Sequence, residues 1–306
     1  MVTRFGVVGT AHWARTVHVP GLLATPGVEL VGITGRDPEK VRMIAGEHGL
    51  RAFPDLDAML EGVDAVSFAV PPDAQPDLAC RAAARGKHLL LEKPLALSLS
   101  GAQTIRAAAA GRVAGVVFFM RRFVPEIEAA IRQAARSSWD HARVVVHSSA
   151  LSSATPYTDS AWRQAEGAVL WDIAPHVLSV LVPVLGPVVR VRARREAGGI
   201  VLLHTTHKGG AVAEASMTLH ASPGGKRSMY EFGAAGRTLT LPDPVLDQKA
   251  IFSRAAAELL DLIATGTHDH RCDIGFAFQV STVLEAAAQS IANGCEVAVG
   301  PHGDAE

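Results

Sequence analysis

Over roughly the first third of the chain, short runs of Val, Leu, Ile and Phe alternate with Ala- and Leu-rich stretches of helical length. The apolar runs fall at residues 5–8, 30–34, 65–70, 88–91 and 113–119. Nearly continuous runs of this length suit strands buried on both faces of a parallel sheet. The stretches at 38–48, 56–60, 76–85 and 100–110 lie between them and read as helices. Such alternation demands right-handed crossovers, so residues 1–120 are predicted to form a doubly wound α/β domain.

The pattern then changes. Val189, Val191 and Ala193 alternate with Arg190, Arg192 and Arg194, giving one apolar and one basic face. Segments 144–148, 200–206, 212–219, 228–233 and 238–241 also read as strands, with no helix-length spacer among them, which implies antiparallel neighbours. Helices are expected at 251–265 and 276–292, the second capped by Asn293 and Gly294. Residues 121–306 are therefore predicted to form an α+β domain with an open, mainly antiparallel sheet and helices on one face. The uncovered face is solvated, covers the active site or meets another subunit, and a homodimer or homotetramer through it is expected.

The most apolar stretch, 168–185, is interrupted by Asp172, Pro175, His176 and Pro183. Two ionisable groups and two prolines at its centre argue for a buried core helix over a membrane span. With Lys+Arg 29 against Asp+Glu 30 and no long basic run, the chain has no footprint for nucleic acid. Cys80, Cys272 and Cys295 are odd in number and widely spaced, which suits a reducing compartment more than a disulfide framework. The N-terminus lacks a charged start followed by a long apolar run, so a cytoplasmic location without a signal peptide is expected.

The first strand runs into Gly9, Thr10, Ala11, His12, Trp13 and Ala14. A dinucleotide fingerprint needs a glycine for the tight turn, a small second position for pyrophosphate and a small third for helix packing; Gly9, Ala11 and Ala14 fill these places. Ala11 departs from the usual second glycine. At the end of the second strand, NAD enzymes place an acid for the ribose 2′-hydroxyl, whereas an arginine accommodates a 2′-phosphate. Here Gly35 takes the acid's place and Arg36 follows, which favours NADP, with NAD as the second choice. Asp37 before Pro38 has a structural explanation as a helix N-cap. Val70, Pro71, Pro72 and Gln75 follow the third long strand, where a doubly wound sheet holds its ligand.

Lys93 follows the strand 88–91 almost directly and so emerges at the carboxyl edge of the sheet, beside the expected nicotinamide. A lysine there can bind a substrate hydroxyl and stabilise developing alkoxide charge. Asp172 and His176 stand four apart and share a helix face, so the carboxylate can fix the imidazole tautomer and raise its basicity.

Gly86, Lys87 and His88 followed by Glu92, Lys93 and Pro94 resemble the signature of the glucose-fructose oxidoreductase / inositol dehydrogenase (Gfo/Idh/MocA) family. Trp162 and Arg163, then Gly167, Ala168, Leu170, Asp172 and His176, resemble that family's second signature, and Phe232, Gly233, Gly236 and Leu239 its late glycine turn. The resemblance covers essentially the whole chain. It implies a Rossmann domain, hydride transfer to or from a secondary alcohol or ketone of a sugar, cyclitol or related molecule, and Lys93, Asp172 and His176 as catalytic residues. Cofactor contacts are expected from Gly9, Thr10, Ala11, His12, Trp13, Gly35, Arg36, Val70, Pro71, Pro72, Gln75, Glu92, Lys93 and Pro94. Substrate contacts are expected from Lys93, Arg121, Tyr157, Trp162, Arg163, Asp172 and His176. Met120 stands where the family commonly has Asn.

His268 with His270, and His204 with His207, have ligand-like spacing but no third ligand near in sequence, so no metal is expected. A non-catalytic NADP-binding regulator on the same fold is disfavoured by Lys93 and His176. A methyltransferase has no use for Glu92, Lys93 and Pro94. An NADPH-dependent carbonyl or imine reductase is the enzymatic alternative.

Overall fold

A computed structural model describes residues 2–152, 155–158 and 160–300. The chain divides into two compact units, one formed by residues up to Phe123 together with Leu246–Phe278, the other by Val124–Val245 and the chain from Gln279 on.

The first unit is built on β1 (Thr3–Val8), β2 (Val28–Thr34), β3 (Arg51–Ala52), β4 (Ala65–Phe68), β5 (His88–Leu91) and β6 (Gly115–Val117). They form one sheet in the order β3-β2-β1-β4-β5-β6, and each neighbouring pair is parallel. Its crossovers carry α1 (Val19–Leu23), α2 (Pro38–His48), α3 (Leu56–Leu60), α4 (Gln75–Ala84) and α5 (Leu99–Ala109). Phe5, Val7, Ile33, Val66, Phe68, Leu89, Leu91 and Val116 are wholly buried, as strands covered on both faces require. Asp37 caps α2 as expected, accepting from the backbone N–H groups of Glu39 and Lys40. The two-residue strand β3 was not foreseen, because Arg51 and Ala52 are exposed and carry no apolar pattern.

The second unit contains α6 (Pro125–Ala134), β7 (His141–His147), α7 (Ala161–Gln164), α8 (Ala168–Leu185), β8 (Val188–Glu196), β9 (Ile200–His207), β10 (Val212–Thr218), β11 (Arg227–Ala234) and β12 (Arg237–Thr240). The chain then forms α9 (Gln248–Thr265), α10 (Ile274–Asn293) and β13 (Val297–Ala298). The second sheet runs β12-β11-β7-β10-β9-β8-β13. It is antiparallel except where β7 meets β10, a parallel pair that departs from the expected pattern because β8 and β9 are threaded on the far side of β10. Helix α8 lies on β7, β9 and β10. It is long and apolar enough to cross a membrane, with mean hydropathy 1.8, yet 83% of it is buried as the core helix of this unit.

The division differs from a single boundary at residue 120. The chain leaves the first unit after Phe123, but α9 returns to it and packs on α1. The reason is aromatic: Phe252 of α9 is wholly buried, 4.2 Å from the His18 ring and 4.9 Å from the Phe118 ring, centroid to centroid. Glu258 of α9 is paired with His270 and Arg271, and Arg271 also donates to the Arg122 carbonyl.

Candidate active site

At the carboxyl end of β1 the chain turns sharply at Gly9, whose φ of +121° belongs to the region that favours glycine. A Cβ there would lie 2.2 Å from the Ala69 carbonyl oxygen, so only glycine fits the turn. Ala11 and His12 beyond it are exposed, and Thr10 and Trp13 are half-buried. The following helix contains a π turn at Ala14–His18 before α1, a distortion that recurs at functional sites. This bare backbone turn at a parallel sheet edge is the cradle that a dinucleotide pyrophosphate requires.

Gly35 follows β2 directly and faces Thr10: a Cβ at Gly35 would meet Thr10 Cγ2 at 2.8 Å. An acid at this position would therefore have to displace the threonine methyl. Arg36, next in the chain, is exposed. Val70 and Pro71 are half-buried after β4, and Pro72 is buried.

The turn after β5 is held from two directions. Gln75 is wholly buried. Its Nε2 donates to the Glu92 and Leu95 carbonyls at 2.8 and 3.0 Å, and its Oε1 accepts the Glu92 N–H at 2.9 Å. The Gln75 amide is thus taken up by the turn, and it braces the chain where the sequence pattern had put it against the cofactor. The Glu92 carboxylate accepts the Trp13 indole N–H at 2.7 Å and lies 3.1 Å from His18 Nε2, while its other oxygen accepts the Lys93 N–H at 3.2 Å. His18 is wholly buried, and its Nδ1 lies 2.8 Å from the Ser67 hydroxyl. The Lys93–Pro94 peptide is cis. Trp13, Gln75, Glu92, Lys93 and Pro94 are therefore gathered at one edge of the first sheet. His18 and Ser67 were missed by sequence reasoning. The available signal was a polar ring between Val17 and Val19, where burial demands a partner, but nothing in the local pattern says that the partner is Glu92.

Arg121 is also in the first unit, buried in a 3₁₀ turn at Met120–Phe123. The remaining candidates belong to the second unit. Asp172 and His176 stand one turn apart on α8; Asp172 is buried and His176 half-buried. Arg163 of α7 donates from Nε to Asp172 at 2.8 Å, and its guanidinium lies over the Trp162 ring at 4.3 Å and the Tyr157 ring at 4.8 Å. Tyr157, Trp162, Arg163 and Asp172 thus form one stacked, charge-paired group at the start of α8. This stacking and bidentate-capable planarity suit arginine in particular. Of the histidine pairs with ligand-like spacing, His204 faces the open side of the sheet while His207 is buried with its Nδ1 against the Gly186 carbonyl. His270 is occupied by Glu258.

A parallel sheet with a glycine turn after its first strand, and a lysine at the edge of its fifth, defines a dinucleotide-dependent oxidoreductase of the Rossmann class. The model of the Gfo/Idh/MocA family, described as an oxidoreductase family with an NAD-binding Rossmann fold, matches residues 3–120. A dTDP-3,4-didehydro-2,6-dideoxy-alpha-D-glucose 3-reductase of Streptomyces antibioticus is 32% identical over 281 residues, covering 85% of this chain and 83% of the relative. The chain belongs to the Gfo/Idh/MocA family of NAD-binding oxidoreductases. Solved structures share the whole fold. An oxidoreductase domain protein from Kribbella flavida superposes with a TM-score of 0.87 at 21% identity, covering 98% of this chain and 100% of that one. A levoglucosan dehydrogenase solved with NADH and levoglucosan has a TM-score of 0.86 at 18% identity, with the same coverage.

Proposed function

We propose that the protein is an NADP-preferring oxidoreductase acting on a secondary alcohol or ketone of a sugar or related polyhydroxylated ring. The observation that carries the cofactor preference is the pair at the end of β2. Thr10 occupies the space that an acidic side chain at Gly35 would need, and exposed Arg36 offers a guanidinium to a 2′-phosphate. Gly9, Thr10, Ala11 and Arg36 would hold the nucleotide, with Trp13, Pro71 and Pro72 beside it. When bound, the nicotinamide supplies or accepts the hydride.

The chain's own residues have separate roles. Lys93 holds the reacting oxygen and stabilises its charge as the carbon changes oxidation state. His176 takes the hydroxyl proton in oxidation and returns it in reduction. Asp172, one turn before His176 on α8, is the group that would orient the imidazole, and Arg163 holds its carboxylate. The length of the resemblance to the dTDP-sugar 3-reductase makes a ring carbonyl of a nucleotide-linked sugar the first substrate to test, in the reductive direction.

The open face of the second sheet supports a homo-oligomer. Arg143, Glu214, His204 and Arg192 are register neighbours across β7, β10, β9 and β8. They line a shallow concavity of about 700 Å³, and charges of both signs in one row let this face pair with its own copy across a two-fold axis.

Titration of the protein with NADPH and NADH, followed by nicotinamide fluorescence, tests the cofactor reading. NADPH is expected to bind more tightly, and Arg36→Ala to weaken NADPH by about tenfold or more while leaving NADH nearly unchanged, as the loss of a charge-assisted phosphate contact implies. Preference for NADH in the wild type would overturn it.

A further inference from the structure

The group formed by Ser67, His18, Glu92 and Trp13 has no place in the hydride chemistry as described, yet it reaches from the interior of the sheet to the residue beside Lys93. Each link has good geometry. With a neutral ring, Ser67 donates its O–H to His18 Nδ1 at 2.8 Å, and His18 Nε2–H donates to Glu92 Oε1 at 3.1 Å. Trp13 donates to the same oxygen at 2.7 Å, and Glu92 Oε2 accepts the Lys93 N–H at 3.2 Å. A carboxylate has acceptors only, and here both oxygens are engaged by N–H groups.

Ser67 lies on the central strand β4 and is 0% exposed, as is His18. The Glu92 end is half-buried and sits at the start of the turn that presents Lys93. We infer that His18 is a positioning residue: it holds the Glu92 carboxylate against the Lys93 backbone and so fixes where the lysine side chain leaves the sheet edge. This rests on the reading of Lys93 as the residue that holds the reacting oxygen. Gln75 fixes the backbone of the same turn, so His18 and Gln75 hold it by two independent sets of bonds. Loss of His18 therefore shifts Lys93 without unmaking the turn.

Competitive acetylation with acetic anhydride tests this, read by peptide mass spectrometry as the rate at Lys93 relative to exposed Lys249, with and without NADPH. In the wild type, NADPH is expected to protect Lys93. His18→Leu, which removes both ring nitrogens, is expected to change the relative rate at Lys93 by about threefold or more, because the turn that presents the lysine loses one of its two sets of supporting bonds and the side chain leaves the sheet edge at a different place. His18→Gln keeps an N–H donor for Glu92 and is expected to recover most of that change. Where His18→Leu does not fold, Ser67→Ala removes only the hydroxyl that fixes the ring and is expected to move the rate in the same direction by a smaller factor. An unchanged Lys93 rate in these variants, with a lower melting temperature as the sole effect, would mean that His18 only packs the core, and would overturn the inference. Absence of NADPH protection in the wild type would instead overturn the placement of Lys93 itself, and the positioning role with it.

Discussion

Three residues, Gly9, Gly35 and Thr10, carry the steric part of the cofactor argument, and each acts through volume. Gly9 is fixed by its φ of +121° and by the Ala69 carbonyl behind it. Gly35 and Thr10 form a matched pair in which the threonine methyl stands 2.8 Å from where a Cβ at Gly35 would be. Gly35→Asp alone therefore forces the threonine aside, whereas Thr10→Gly with Gly35→Asp makes room for a carboxylate at the 2′-hydroxyl position. The double variant is expected to bind NADH more tightly than NADPH by about tenfold, reversing the wild-type order, with competition between the two nucleotides as the readout. A double variant that still prefers NADPH would remove Thr10 and Gly35 from the specificity argument. Arg163 shows the same economy in the second unit, because one guanidinium both pairs with Asp172 and stacks on Trp162 and Tyr157.

At the level of elements, β5 joins the signature residues to the sheet through His88. Its Nδ1 accepts the Ala114 N–H at 3.0 Å, which ties β5 to the segment entering β6 and requires that nitrogen to be unprotonated. Burial pushes the His88 imidazole below its ordinary value near 6.5, and neighbouring His268 acts in the same direction. A depressed histidine contributes stability that is complete above the unfolded value and is lost as pH falls through the folded one. The melting temperature is therefore expected to fall as pH drops below the ordinary value of 6.5, and His88→Asn, which keeps an acceptor without titrating, to flatten that slope. An unchanged slope in the variant would assign the acid sensitivity elsewhere, for which His207, also lowered by burial, is the next group to test. Elements of this kind were readable from pattern alone wherever the signal is local. The apolar run at β5 and the Asp37 cap of α2 lie as expected, and 168–185 coincides with the observed α8. What was not legible depends on partners distant in sequence. Helix α9 goes to the first unit because Phe252 finds His18 and Phe118, and Gln75 turns inward because the turn after β5 uses both ends of its amide. No local periodicity encodes either choice. Lys93, Asp172 and His176 were marked by type and spacing, whereas Arg163 was marked without its pairing to Asp172.

At the scale of the molecule, the glycine turn at Gly9 belongs to the first unit, and the second sheet has one open face among the described residues. The row Arg143, Glu214, His204 and Arg192 on that face is expected to give a solution mass of two or four chains by light scattering. Glu214→Arg, which leaves four basic side chains in the row, is expected to shift the mass towards one chain. A wild-type mass of one chain would remove the oligomer from the account. The central claim is that Lys93 and His176 serve hydride transfer to a ring carbonyl. Its most direct test is to incubate the protein with NADPH deuterated at C4 and a panel of keto-sugars, free and nucleotide-linked, and to look for deuterium by mass spectrometry. The account predicts deuterium on a ring carbon of at least one sugar, lost or reduced by about a hundredfold or more in Lys93→Ala and His176→Ala, as for removal of an acid–base or charge-stabilising group. Deuterium transfer that persists undiminished in both variants would contradict it.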